Sequence, residues 1–160
     1  MAVQSGDKIP NATLKRMGSS GIEDVTTEQL FAGKKVVLFA LPGAFTPTCS
    51  AKHLPGFIEQ AAAIRAKGID TIACVSVNDA FVMGAWGDDK GADDSIQMLA
   101  DGNGEFASAM GLDFDASNFG MGVRSQRYAA IVEDGIIKHL AVEKPMAFEV
   151  SSAEAILAAL

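Results

Sequence analysis

Two apolar, largely β-branched runs without polar alternation constrain this chain more than any other feature: residues 34–40 (KKVVLFA) and 69–77 (IDTIACVSV). A strand with one wet face alternates apolar and polar residues, so a run that does not alternate belongs in a sheet covered on both faces. Between the two runs lies a helix-length stretch, residues 57–67, in which Phe57, Ala61 and Ile64 share one face and Gly68 follows where a C-terminal cap glycine belongs. Strand, helix, strand predicts a right-handed crossover and a parallel pair. Downstream, Asn78-Asp79 is placed to cap a second helix running through Trp86, followed by a solvated acidic loop (Asp88, Asp89, Asp93, Asp94), a strand over 96–100 and a turn over 101–104. Residues 128–133 and 136–142 flank Asp134-Gly135, the strongest hairpin signal in the chain. Ser151 and Glu154 have capping-box spacing ahead of a helix over 155–160, with Ile156 and Leu160 facing inward. The expectation is an α/β fold: a mixed central sheet, half parallel crossover and half antiparallel hairpin, with helices on both faces. At 160 residues and 49% hydrophobic, without repeats or linker-like stretches, it reads as a single domain over residues 1–160.

Thirteen basic residues against twenty acidic ones leave a net charge of −7, which disfavours nucleic acid and anionic membrane as partners. The longest apolar run, residues 36–41, is too short to span a bilayer, and residues 1–10 carry no export signal. Two cysteines are too few for a disulfide framework, so a reducing, cytoplasmic compartment is expected; a removed organellar targeting segment would leave no trace.

The chemistry begins where the first buried strand ends. Residues 41–49 (LPGAFTPTC) leave its carboxyl end, where open α/β sheets place ligands. Thr46 is a good N-cap, Pro47 suits the first helical position, and Cys49 falls in the first turn. There the unpaired backbone N–H groups and the positive end of the helix dipole favour thiolate, the nucleophilic form of cysteine. Pro55-Gly56 predicts that this first turn is kinked away from the longer helix and easily unwound. On local features alone, a buried structural cysteine fits as well as a reactive one. His53, four residues after Cys49, reads as a partly exposed residue at the pocket mouth. A Cys–His dyad lacks a third group, and two histidines with two cysteines offer no paired zinc-ligand spacing. Gly120-x-Gly122 has no phosphate-loop context.

The pattern Pro42-x-x-x-Thr46-x-x-Cys49 resembles the active-site motif of the peroxiredoxins. The surrounding LPGAFTPTCSAKHLPGF is similar to the type II (peroxiredoxin-5-like) subfamily, and the likeness continues through residues 75–81, Trp86-Gly87, residues 99–101 and Arg127-Tyr128. The resemblance implies a thioredoxin-like fold and a thiol-dependent peroxidase. In that reading the Cys49 thiolate attacks a hydroperoxide and becomes a sulfenic acid, which a second thiol resolves. It implies further that the Thr46 hydroxyl holds the peroxide near Cys49, that Arg127 favours the thiolate and polarises the peroxide, and that Pro42 shields the pocket. Read without the family, Thr46 is an N-cap, Pro42 a turn residue and Arg127 a charge leading into a strand. Arg124 matches less specifically and is expected at the surface or behind the site.

Cys74 sits mid-strand, where a small buried hydrophobe is the ordinary occupant, although relatives of the plant type carry a thiol there that has been considered a resolving one. The tail around residues 149–154 has serines where the mammalian type carries a resolving cysteine. Resolution is therefore expected from an external thiol (glutathione, glutaredoxin or thioredoxin), with Cys74 the possible internal alternative and no bound cofactor. Family resemblance also implies a homodimer, with part of the Phe45, Trp86 and Phe119 set at its contact; Phe81 and Trp86 read individually as core. A redox-sensing binding protein oxidised stoichiometrically is the competing class. A thiol–disulfide oxidoreductase is disfavoured because Thr46 and Lys52 stand where a Cys-x-x-Cys partner would be.

Overall fold

A computed structural model describes residues 1–160. Its seven-stranded sheet has the order β2-β1-β5-β4-β3-β8-β9. The two apolar runs form β3 (Lys35–Ala40) and β4 (Thr71–Ser76), which pair in parallel at its centre. Val36, Leu38 and Ala40 point into one core and Val37, Phe39 and Leu41 into the other, which is why the run cannot alternate. One core is closed by α2 (Leu54–Ala66), α3 (Ala80–Lys90) and α5 (Ala153–Ala159), and the other by α1 (Thr27–Phe31) and α4 (Glu105–Met110). β5 (Gln97–Ala100) extends the parallel half beside β4. On its far side lies the antiparallel pair β1 (Thr13–Gly18) and β2 (Gly21–Thr26).

The hairpin lies where its turn signal puts it. β8 (Tyr128–Glu133) pairs with β9 (Ile136–Val142), and Asp134 (φ 48°) and Gly135 (φ 77°) are both left-handed, as a two-residue type I′ turn requires. β8 also runs antiparallel to β3 with Ala40 opposite Tyr128, which carries Arg127 to the carboxyl end of β3. The remaining strands, β6 (Asp113–Asp115) and β7 (Val123–Ser125), form a separate ribbon.

Four expectations need correction. Pro55 does not break the helix. Helical backbone runs from Pro47, passes through a π-helical turn at Cys49–His53 and continues as α2. In that wider turn the Leu54 N–H reaches back to the Cys49 carbonyl, and Pro55 follows in the first turn of α2, where its missing N–H is tolerated. Helix α3 runs past Trp86 to Lys90 and ends on the left-handed Gly91, so Asp88 and Asp89 are helical and only Asp93 and Asp94 lie in the loop. Ser152, not Ser151, caps α5 through the Ala155 N–H, because the Ser151 hydroxyl is engaged elsewhere. Phe81 is 63% exposed and is not core, whereas Trp86 is fully buried.

Candidate active site

The loop between β3 and the helix is pinned at successive residues. Ser76 at the end of β4 donates its hydroxyl to Asn78 Oδ1 at 2.6 Å, with the Leu41 carbonyl 3.3 Å away, and Arg124 donates to the Pro42 carbonyl (3.3 Å) and, through Nε, to the Met121 carbonyl (3.0 Å). The Ala44 N–H donates to Asn78 Oδ1 at 3.0 Å. A side chain at Gly43 would meet Arg124 Nη1 at 2.9 Å, so a larger residue there would have to move that arginine off the Pro42 carbonyl. Phe45 holds a left-handed φ of 63°, a strained conformation of the kind that persists where its surroundings fix it. Thr46 precedes the first helical residue, but its hydroxyl does not cap the helix: it donates to the Gly43 carbonyl at 2.6 Å. The oxygen's lone pairs are thereby left as acceptors.

Cys49, in the π-helical turn, is fully buried. Arg127 Nη2 donates to its sulfur at 3.2 Å, while Nη1 lies 2.9 Å from Nδ1 of His53. The guanidinium therefore uses two arms of one rigid fork, one on the sulfur and one on the imidazole. Phe148 lies beneath it, with the guanidinium carbon 5.7 Å from the ring centroid.

His53 is not at the pocket mouth. It is fully buried, caged by Phe39, Phe57 and Phe148 at centroid distances of 5.1, 5.7 and 5.1 Å. Its Nε2 lies 2.9 Å from the Ser151 carbonyl, which can only accept, so Nε2 carries the proton and Nδ1 accepts from Arg127. Burial and the adjacent Arg127 charge lower its pKa from 6.5 to about 3. Between those values the unfolded chain binds a proton at His53 that the folded chain excludes. Stability from this residue is therefore complete above pH 6.5 and falls with pH, by up to about 1.4 kcal/mol per unit. His53→Asn, unable to titrate, is expected to show a flatter decline of unfolding free energy from pH 6.5 to 4; parallel profiles for the two proteins would contradict this.

Ser151 is itself held from below. Glu143 follows β9, its N–H bonded to the Arg127 carbonyl at 2.9 Å. One oxygen of its carboxylate accepts from the backbone N–H groups of Glu149, Val150 and Ser151 (2.8, 2.9 and 2.8 Å) and from the Ser151 hydroxyl (2.7 Å). Burial pushes this carboxyl up, and the four donors more than offset it, leaving the group below the usual range.

The structure thus brings Cys49, Arg127, Thr46 and Pro42 to one end of the sheet, with Arg124 behind the loop. Cys74 lies on β4, opposite Phe39, fully buried in the same apolar core as Cys49. Burial pushes its thiol well up, so the neutral form dominates. Sequence reasoning missed the places of His53, Asn78 and Glu143. For His53 the four-residue spacing from Cys49 was the available signal.

The family model described as Redoxin matches residues 4–157. The chain is 52% identical to Peroxiredoxin-2E, chloroplastic, of Arabidopsis thaliana, over 99% of its own length and 70% of that relative. It is 46% identical to Peroxiredoxin-2B of the same plant, over 97% of this chain and 96% of the other. The crystal structure of reduced Prx3 in complex with hydrogen peroxide, from Vibrio vulnificus, superposes with a TM-score of 0.95 at 55% identity, covering 98% of each chain.

Proposed function

The chain belongs to the redoxin family as a type II peroxiredoxin, a thiol-dependent peroxidase of thioredoxin-like fold, and from that premise we propose that Cys49 is its peroxide-reducing residue, with Thr46, Arg127 and Pro42 completing the site. The observation that carries the assignment is the 3.2 Å contact from Arg127 to the Cys49 sulfur. Thiolate is the attacking form, and a permanent cation at hydrogen-bond distance favours it. In the reaction the sulfur attacks the terminal peroxide oxygen, an S–O bond forms, and the O–O bond breaks. The departing oxygen takes the electron pair and a proton, leaving as water or an alcohol, and Cys49 becomes the sulfenic acid. Charge moves from sulfur onto oxygen, so donors fixed around both atoms act where charge develops. Arg127 is positioned to supply them. The Thr46 oxygen, its proton committed to Gly43, accepts from the O–H of the incoming peroxide. Pro42 narrows the access of water.

The second half of the cycle needs two external thiols. The first condenses with the sulfenic acid, releasing water and giving a mixed disulfide; the second displaces Cys49 and leaves as the oxidised disulfide. We assign this role to glutathione, glutaredoxin or thioredoxin. Cys74 is fully buried at mid-strand, paired in register with Phe39, where no external reductant can reach it and where bridging would need both side chains turned together with the Cα atoms within about 7 Å. Steady-state turnover of Cys74→Ser with these reductants is expected to match wild type within about twofold. Loss of turnover in that variant would transfer the resolving role to Cys74.

Phe45 and Phe119, 54% and 67% exposed, leave apolar surface around the site, and we propose that it is covered in a homodimer. Sedimentation of the protein as a protomer-sized species at micromolar concentration would remove that assembly. Free thiols suit a reducing compartment. The cytoplasm is our assignment, with an organelle as the alternative suggested by the chloroplastic relative; cell fractionation separates the two.

A further inference from the structure

We propose that Glu143 is a positioning residue for peroxide reduction: its carboxylate clamps residues 149–151 so that the Ser151 carbonyl fixes the His53 ring, and that ring in turn fixes the orientation of Arg127 at Cys49. The proposal rests on the assignment of Cys49 and Arg127 given above.

The connections are continuous. Three successive N–H groups and one hydroxyl converge on a single oxygen of Glu143, an arrangement that holds residues 149–151 in one conformation. The next link is the Ser151 carbonyl on His53 Nε2 at 2.9 Å, and the last two are His53 Nδ1 to Arg127 at 2.9 Å and Arg127 to sulfur at 3.2 Å. Each link can be made in only one sense. The carboxylate and the carbonyl accept, the guanidinium donates, and the imidazole must therefore donate at Nε2 and accept at Nδ1. Losing the clamp frees the carbonyl that sets the tautomer and angle of the ring. The ring then no longer presents a fixed acceptor to Arg127.

The clamp also has a reason to be charged. A neutral amide at position 143 would place two N–H donors or one weaker acceptor among four donors that all seek an acceptor. Glu143 is buried, contacts no reacting atom, and sits outside the Pro42–Cys49 motif, so its influence must pass through the residues it holds.

A double-mutant cycle separates this from a merely structural role. Under excess reduced protein, single-turnover loss of hydrogen peroxide is measured for wild type, Glu143→Gln, Arg127→Leu and the double variant. Glu143→Gln is expected to slow the reaction about tenfold, the scale on which small misplacements of catalytic groups act. In the Arg127→Leu background the same change is expected to have an effect of less than about twofold, because the group it positions is gone. Circular dichroism checks the fold. If Glu143→Gln fails to fold, Ser151→Ala takes its place in the cycle. It removes one of the four donors while leaving the carbonyl, with an expected loss of about threefold that also vanishes without Arg127. Wild-type rates in the clamp variant, or an equal slowing with and without Arg127, would overturn the proposal while leaving the Cys49–Arg127 assignment intact. An Arg127→Leu protein as fast as wild type would overturn both.

Discussion

Arg127→Leu is expected to slow single-turnover reduction of hydrogen peroxide about 10²- to 10³-fold while the fold persists, which is the scale for removing a fixed donor from a developing charge. The guanidinium is half-buried beside the carboxyl end of β3 and supplies no core packing comparable to that of Phe39 or Phe57, so the cost to stability should be limited to about 1–3 kcal/mol from leaving His53 Nδ1 without its donor. What is lost is the cation beside the sulfur and, in the proposed mechanism, a donor to the breaking bond. Arg127→Lys is expected to recover less than about tenfold of the deficit. Arginine reaches the Cys49 sulfur and His53 Nδ1 at once through two nitrogens of one plane, whereas an ammonium is a single compact point of charge. Rapid-mixing measurements of peroxide loss for the three proteins check this. Full recovery by lysine would show that charge alone matters and that the paired geometry does not.

Much of the architecture was legible because its signals are strong and local. The two non-alternating runs could only be central strands, and Asp134-Gly135 could hardly be anything other than a tight turn. Strands β1 and β2, as long as β3, escape because they are largely exposed and carry few apolar residues, and helices α1 and α4 escape because they are short. Helix α4 has six residues and starts from a left-handed Gly104, with Asp101, three residues before that glycine, accepting from the Phe106 and Ala107 N–H groups. No periodicity develops over so few positions.

The site was legible in its motif and illegible in its support. Pro42, Thr46 and Cys49 are close in sequence, and Arg127 joined them through resemblance; the register of Ala40 with Tyr128 supplies the physical reason it arrives there. A kink at Pro55 would leave His53 at the pocket mouth. The π-helical turn absorbs the proline instead and rotates His53 into the core, and no side-chain pattern announces such a turn. Ser151 and Ser152 illustrate the same limit. Both have capping chemistry, and the choice between them is made by Glu143, eight residues from Ser151, which takes one hydroxyl and leaves the other for α5. Contacts between segments decided what local propensity left open.

Cys49→Ser is expected to reduce peroxide turnover to the uncatalysed background. Exchanging one buried sulfur for oxygen should alter stability by about 1 kcal/mol, since Arg127 can still donate to the hydroxyl. Loss of activity in a folded variant shows that the residue is needed, and trapping the intermediate shows what it does. The most direct test exposes the reduced wild-type protein to equimolar hydrogen peroxide with a dione reagent that captures sulfenic acids, and maps the adduct by mass spectrometry. The account predicts capture at Cys49 with Cys74 unmodified. Capture at Cys74 with Cys49 untouched, or complete loss of peroxide without an oxidised sulfur at Cys49, would contradict it.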